Sequence, residues 1–219
     1  MQDKYKHHMD NILLLCRFTN GEIKNGRLAV NDALLFADLN FTVRGGQLVC
    51  LSGPAGSGKS TVAKSLLGLR WLDAGYVSID GTLVTPSSAP TFRRMAVYVP
   101  QHFSRLGGLA HPAECLLPEP ADEPLFSPRL LVVSMKGLPP VPSLTADESA
   151  DLICQTLSAG AARQFVIADE PTEGLSDQHT DRILSLLRQQ TAAGKPVLVV
   201  SNDSRVVSLA DRRIYLNPS

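Results

Sequence analysis

Two short runs of this chain carry residue types and spacings that do chemistry. The first is Gly53-Pro54-Ala55-Gly56-Ser57-Gly58-Lys59-Ser60-Thr61, which fits the pattern G-x-x-x-x-G-K-[ST]. Glycines let the backbone wrap a phosphate, and the N–H groups at a helix start add partial positive charge. Lys59 has the reach to meet β- and γ-phosphates, and the Ser60 hydroxyl suits Mg²⁺. The second is Phe165-Val166-Ile167-Ala168-Asp169-Glu170, an apolar run that delivers two carboxylates at its end. Asp169 is placed to hold Mg²⁺, directly or through water. Glu170, one position on, suits a general base for an attacking water. A chance glycine-rich turn and an exposed acidic turn are the bland alternatives. Together the two runs point to a nucleoside triphosphate.

The flanking elements must position these groups. Gln47 to Leu51 reads as a buried parallel strand entering the loop, and Thr61 to Gly68 as a helix leaving it, with Val62, Leu66 and Leu67 on one face. Open α/β sheets bind ligands at the C-terminal ends of their strands, where Asp169 and Glu170 fall. Other strand-like stretches are Asn11 to Phe18, Arg27 to Val30, Leu34 to Val43, Gly75 to Gly81 (half-exposed and antiparallel), Met95 to Val99 and Pro196 to Ser201. Asn25-Gly26 and Gly45-Gly46 read as turns. Helix is expected over Leu144 to Leu157 and Gln178 to Gln190. Between His111 and Pro142 stand eight prolines, which leave room for little helix beyond Arg129 to Lys136. The expected fold is therefore α/β, with strands alternating with helices around a parallel sheet.

Composition narrows the class further. The 219 residues suit one large domain or a core with a small insert. With 44% apolar and 19% charged residues and a formal net charge of zero, nothing favours nucleic acid or anionic lipid globally. No stretch approaches a membrane span, and the run Ile12 to Cys16 is too short for a signal peptide. Cys16, Cys50, Cys115 and Cys154 lack C-x-x-C pairing, so reduced buried thiols are expected. His102, His111 and His179 show no metal-ligand spacing, and His7-His8 sits in a polar N-terminal stretch.

With both phosphate elements in view, the chain resembles the ATP-binding subunit of an ABC (ATP-binding cassette) transporter from Asn11 to Asn217. Glu170-Pro171-Thr172 continues the Walker B strand as in that family. Val99-Pro100-Gln101 is similar to its Q-loop, Gly75 to Gly81 to its "GxVxxDG" hairpin, and Asp211 to Leu216 to its closing strand. The resemblance implies one domain over 1–219 with a P-loop NTPase (RecA-like) core, an N-terminal antiparallel β-subdomain and a small, proline-rich helical subdomain. Its parts would be 11–101, 102–158 and 159–219. ATP and Mg²⁺ are the implied ligands. Residues 53–61 would hold the nucleotide, Ser60, Gln101 and Asp169 the metal, and Glu170, Lys59, Gln101 and Asn202 would serve catalysis.

The chain also departs from the family. The signature L-S-G-G-Q, which a partner subunit meets with its γ-phosphate, corresponds here to Leu144-Thr145-Ala146-Asp147-Glu148. Ala146 adds a methyl where backbone must approach closely. Asp147 brings a like charge that costs on the order of 4 kcal/mol at ~4 Å and an effective dielectric of ~20. The switch histidine is replaced within Ser201-Asn202-Asp203, where Asn202 can hydrogen-bond a phosphate but carries no charge. Ser176 stands where the D-loop aspartate is expected. Phe18 is a candidate to stack on adenine, the position nearer Val30 being aliphatic. The implied protein is cytoplasmic and peripheral on the inner face of the membrane. It would dock on an integral membrane subunit as a homodimer or a heterodimer with another ATP-binding subunit, hydrolysing ATP slowly alone. A switch or assembly protein that uses the fold without transport is the alternative. A P-loop kinase for a small metabolite is disfavoured by Glu170-Pro171-Thr172.

Overall fold

A computed structural model describes residues 19–30, 33–101, 144–160 and 163–217. The expected strand Asn11 to Phe18, the adenine candidate Phe18, the proline-rich segment, Cys16, Cys115, His7, His8, His102 and His111 lie outside these residues.

The first described elements are β1 (Asn20–Val30) and β2 (Ala33–Arg44), paired antiparallel. Asn25-Gly26 is not the turn between two strands that the sequence suggests. It lies inside β1 as a bulge, with register shifts on either side and Asn25 at φ 50. Asparagine tolerates this left-handed conformation, and the Asn40 side chain accepts the Asn25 N–H at 2.9 Å. Local residue type signals the bend, and the long hairpin partner turns it into an irregularity of one strand. Gly45-Gly46 does form a turn. It leads into β3 (Leu48–Ser52), then α1 (Lys59–Leu66), β4 (Ala74–Ile79) and β5 (Thr82–Leu83). β4 is antiparallel, as expected, but it is exposed over Ala74 to Tyr76 and buried over Val77 to Ile79 rather than alternating. β1, β2, β4 and β5 form a four-stranded sheet in the order β2-β1-β4-β5.

The remaining elements are α2 (Ala89–Met95), β6 (Ala96–Val99), α3 (Ala146–Ala159), β7 (Phe165–Asp169), α4 (Asp177–Ala192), β8 (Val197–Val200), α5 (Ser204–Leu209) and β9 (Arg212–Tyr215). They complete a five-stranded parallel sheet in the order β6-β7-β8-β3-β9. The short helices α2 and α5 are too brief for the periodicity that reveals a helix in sequence.

Along β3, β6, β7 and β8 both faces of the parallel sheet are buried, which is why these strands read as apolar runs, while the edge strand β9 is largely exposed. Val49, Leu51, Ile167, Leu198 and Val200 face one core with α1 and the antiparallel sheet, joined by Ile23, Phe36, Val62 and Leu67. Leu48, Cys50, Val166, Ala168, Val197 and Val199 face the other, packed on Ile153 and Leu157 of α3 and Ile183 and Leu187 of α4. Each such fully buried aliphatic side chain contributes about 1.5–3 kcal/mol. The sheet that carries the chemistry is thus clamped from both sides, and its C-terminal edge inherits that rigidity.

Candidate phosphate-binding site

Register brings the chemical residues together. Leu51 pairs with Val200, and Val200 with Asp169, so the ends of β3, β8 and β7 lie side by side. Beyond β3 the loop from Gly53 turns sharply, with Gly53 at φ 152 and Gly58 at φ 90. A Cβ at Gly53 would collide with the Leu216 carbonyl, and one at Gly58 would press on Leu35 and Phe36 at 3.2–3.3 Å. Only glycine fits these two positions. Gly58 then starts α1 without a side-chain cap, which leaves the helix N-terminus open to an anion.

Lys59 is 8% exposed, and its Nζ donates to the carbonyls of Gly53 (2.8 Å) and Pro54 (2.9 Å). The ammonium therefore lies within the curl of its own loop. Ser57 Oγ is buried and has no hydrogen-bond partner among the described residues. An orphaned hydroxyl inside a loop of glycines and one buried cation fits a phosphate oxygen. Ser60 Oγ donates to Asp169 Oδ1 at 2.9 Å, and Asp169 is 2% exposed. A hydroxyl and a carboxylate, both oxygen donors, make the half-shell that Mg²⁺ takes from protein when phosphates supply the rest.

Glu170 sits immediately beyond β7 at φ 47, a left-handed conformation for a non-glycine residue. Its N–H donates to the Val200 carbonyl at 2.8 Å. Burial pushes its carboxyl above the usual range, Ser201 and Lys59 pull it down, and Glu173 and Asp169 push it up. A carboxylate with raised proton affinity is a better proton acceptor.

The other expected residues are placed as follows. The Asn202 side-chain oxygen accepts the Gly53 N–H at 3.1 Å, so this residue braces the phosphate loop and has only its amide nitrogen left to meet an anion. Gln101 Nε2 donates to Glu173 Oε2 at 3.0 Å. Sequence reading missed Glu173, whose only signal was its place three residues after Glu170. It also missed a bracket in which Asp203 accepts from Thr172 Oγ1 (3.1 Å) and Arg205 Nη2 (2.9 Å), while Arg205 Nη1 donates to Asp177 (2.7 Å). That bracket ties the segment after β8 to the turn after Glu170.

The segment Leu144 to Glu148, expected to correspond to the signature, has a definite structure. Thr145 caps α3, accepting the Glu148 N–H at 3.2 Å, while Glu148 Oε2 accepts the Thr145 N–H at 2.8 Å. This capping box uses donors that an anion would otherwise meet. Asp147 is highly exposed and lies 3.5 Å from His179 Nδ1 on α4, a ring that also meets Ser176 Oγ at 3.1 Å. Ser176, in the place of the expected aspartate, caps α4 by accepting the His179 N–H.

Comparison with known proteins follows the same lines. The family model described as "ABC transporter" matches residues 36–184. The chain is 31% identical over 193 residues to the Nod factor export ATP-binding protein I of Burkholderia lata, covering 83% of this chain and 62% of that relative. It therefore spans less than two thirds of that relative's length. It is 28% identical over 202 residues to the cytochrome c biogenesis ATP-binding export protein CcmA of Hahella chejuensis, covering 89% and 94%. Among solved structures, it is similar in fold to a dimeric ATP-binding cassette in a post-hydrolysis state bound to ADP and Pi. The TM-score is 0.66 at 23% identity, covering 90% of this chain and 94% of that one.

Proposed function

The chain belongs to the ABC transporter family as one of its ATP-binding ATPase cassettes, and from that premise we propose that it binds ATP with Mg²⁺ at Gly53 to Thr61 and drives transport through an integral membrane subunit. In this reading it works as a dimer with a second ATP-binding subunit, on the cytoplasmic face of the membrane, and is slow alone. The supporting observation is the convergence of Lys59, Ser60, Asp169 and Glu170 at one edge of the sheet.

The residues divide the work. The loop amides and the α1 N-terminus receive phosphate oxygens, and Lys59 exchanges its two loop carbonyls for them. Ser60 and Asp169 would hold Mg²⁺, which supplies charge neutralisation on the phosphates. Glu170 accepts a proton from the attacking water, helped by its raised proton affinity. Asn202 keeps Gly53 in place. The slow rate follows from α3, whose start is occupied by Glu148 and fronted by Asp147. A partner with an open helix start would relieve this, which favours a heterodimer.

The test is ATP turnover by the wild type and by Glu170→Gln, alone and with candidate membrane and ATP-binding partners. Turnover that rises with a partner and collapses in the variant is expected. Several turnovers per second by the purified chain alone would sink the partner requirement. A wild-type rate equal to the variant's would leave a nucleotide-binding switch.

A further inference from the structure

Gln101 stands two residues beyond β6, and β6 pairs with β7 through Val99 and Ala168. The topology therefore sets Gln101 beside the turn that follows Asp169. That turn also carries Glu173, whose N–H donates to the Glu170 carbonyl at 3.2 Å. Across a sequence separation of 72, Gln101 Nε2 donates to Glu173 Oε2 at 3.0 Å. A carboxamide has two faces of opposite character: an oxygen that accepts, and an NH₂ that only donates. An ionised carboxylate only accepts, so it can hold the amide by its NH₂ and by nothing else.

We propose that Glu173 is a positioning residue that fixes the orientation of the Gln101 carboxamide, leaving the amide oxygen as the group offered to the metal. Mg²⁺ takes oxygen ligands and has no use for an amide NH₂. With Glu173 in place, one of the two orientations of the amide is held and the other is lost. Without it the side chain loses both its fixed rotamer and the preference between its two amide faces. Groups that orient a ligand from behind are commonly worth ten- to a hundredfold in metal affinity. Both Gln101 and Glu173 are exposed, which puts the expected effect at the low end, about tenfold. The inference rests on reading Ser60, Asp169 and Gln101 as the metal position, and it gives Glu173 a role that acts through Gln101.

The test uses the full chain and trinitrophenyl-ATP fluorescence, titrated with Mg²⁺ and repeated in EDTA. Glu173→Ala should raise the Mg²⁺ midpoint about tenfold and leave nucleotide affinity in EDTA unchanged. Glu173→Gln should fall between wild type and Glu173→Ala, because its amide can accept from Gln101 Nε2 but can also turn and donate to the Gln101 oxygen. In a Gln101→Ala background, Glu173→Ala should add nothing. An unchanged or lowered midpoint in Glu173→Ala overturns the proposal, as does an equal loss of affinity in EDTA. If Mg²⁺ fails to strengthen binding even in the wild type, the metal reading of Ser60 and Asp169 fails instead, and the two failures are distinguishable.

Discussion

Replacing Glu170 with glycine should move stability and turnover in opposite directions. Glu170 holds φ 47, and a non-glycine residue in the left-handed region costs about 1–2 kcal/mol. Glycine removes that cost but loses more backbone freedom on folding, about 0.5–1 kcal/mol. The strain balance leaves a gain of about 0–1.5 kcal/mol, centred on ~0.75 kcal/mol, which is about 1.5–3 °C in Tm for a chain of this size. The carboxyl adds to the gain. Its proton affinity is raised by burial even after the Ser201 hydrogen bond is counted, so at pH 7 its charge works against folding. Glu170→Gln removes the charge and keeps the backbone strain, which makes it the control. Thermal melts without nucleotide should therefore place Glu170→Gly above Glu170→Gln. ATP turnover should fall in both by about 10²–10⁴-fold, the usual worth of a general base. If the glycine variant melts at or below the glutamine variant, no strain is stored at this position and the reasoning is refuted.

Further outcomes follow from other contacts. Thr145→Ala should destabilise the protein by about 1 kcal/mol through loss of the α3 cap, read as a lower urea midpoint. Arg205 holds the Asp203 carboxyl below its usual range, so Asp203 stabilises the fold above its unfolded pKa of about 3.9 and loses that contribution as pH falls through the lower folded value. Asp203→Asn, which can still cap α5, should have a lower urea midpoint than wild type at pH 7, with the gap closing in acid. Burial pushes the Cys50 thiol up to about 11 and raises Cys154 as well. Peptide mapping after a thiol reagent at pH 8 should find neither labelled until urea unfolds the chain.

The phosphate loop and the Asp169-Glu170 pair were legible because each is a local pattern whose meaning the backbone fixes within a few residues. The buried parallel strands were legible for the same reason: Val197 to Val200 and Phe165 to Ala168 have no polar face to give away. What sequence could not reveal depends on distant partners. Asn25-Gly26 carries a turn signal, and only its pairing with β2 and β4 makes it a bulge. Asn202 was expected to meet a phosphate from its local place after β8, while its hold on Gly53 spans 149 positions. The Gln101–Glu173 bond and the Arg205 bracket are likewise products of the assembled edge. The short helix α5 buries only Val206, and α2 spans just seven residues, too short a stretch for its period to stand out.

The strand order has a consequence for the order of synthesis. β3, which delivers the phosphate loop, is flanked on both sides by strands made last: Cys50 pairs with Val199 on one side and Arg213 on the other. Asn202, which fixes Gly53, comes 149 residues later. At about 5–20 residues per second, the ribosome adds that stretch in roughly 7–30 s. During that interval the loop exists as sequence with no sheet to hold it. A growing chain therefore completes the sheet around its phosphate loop only after Val197 to Tyr215 have been made.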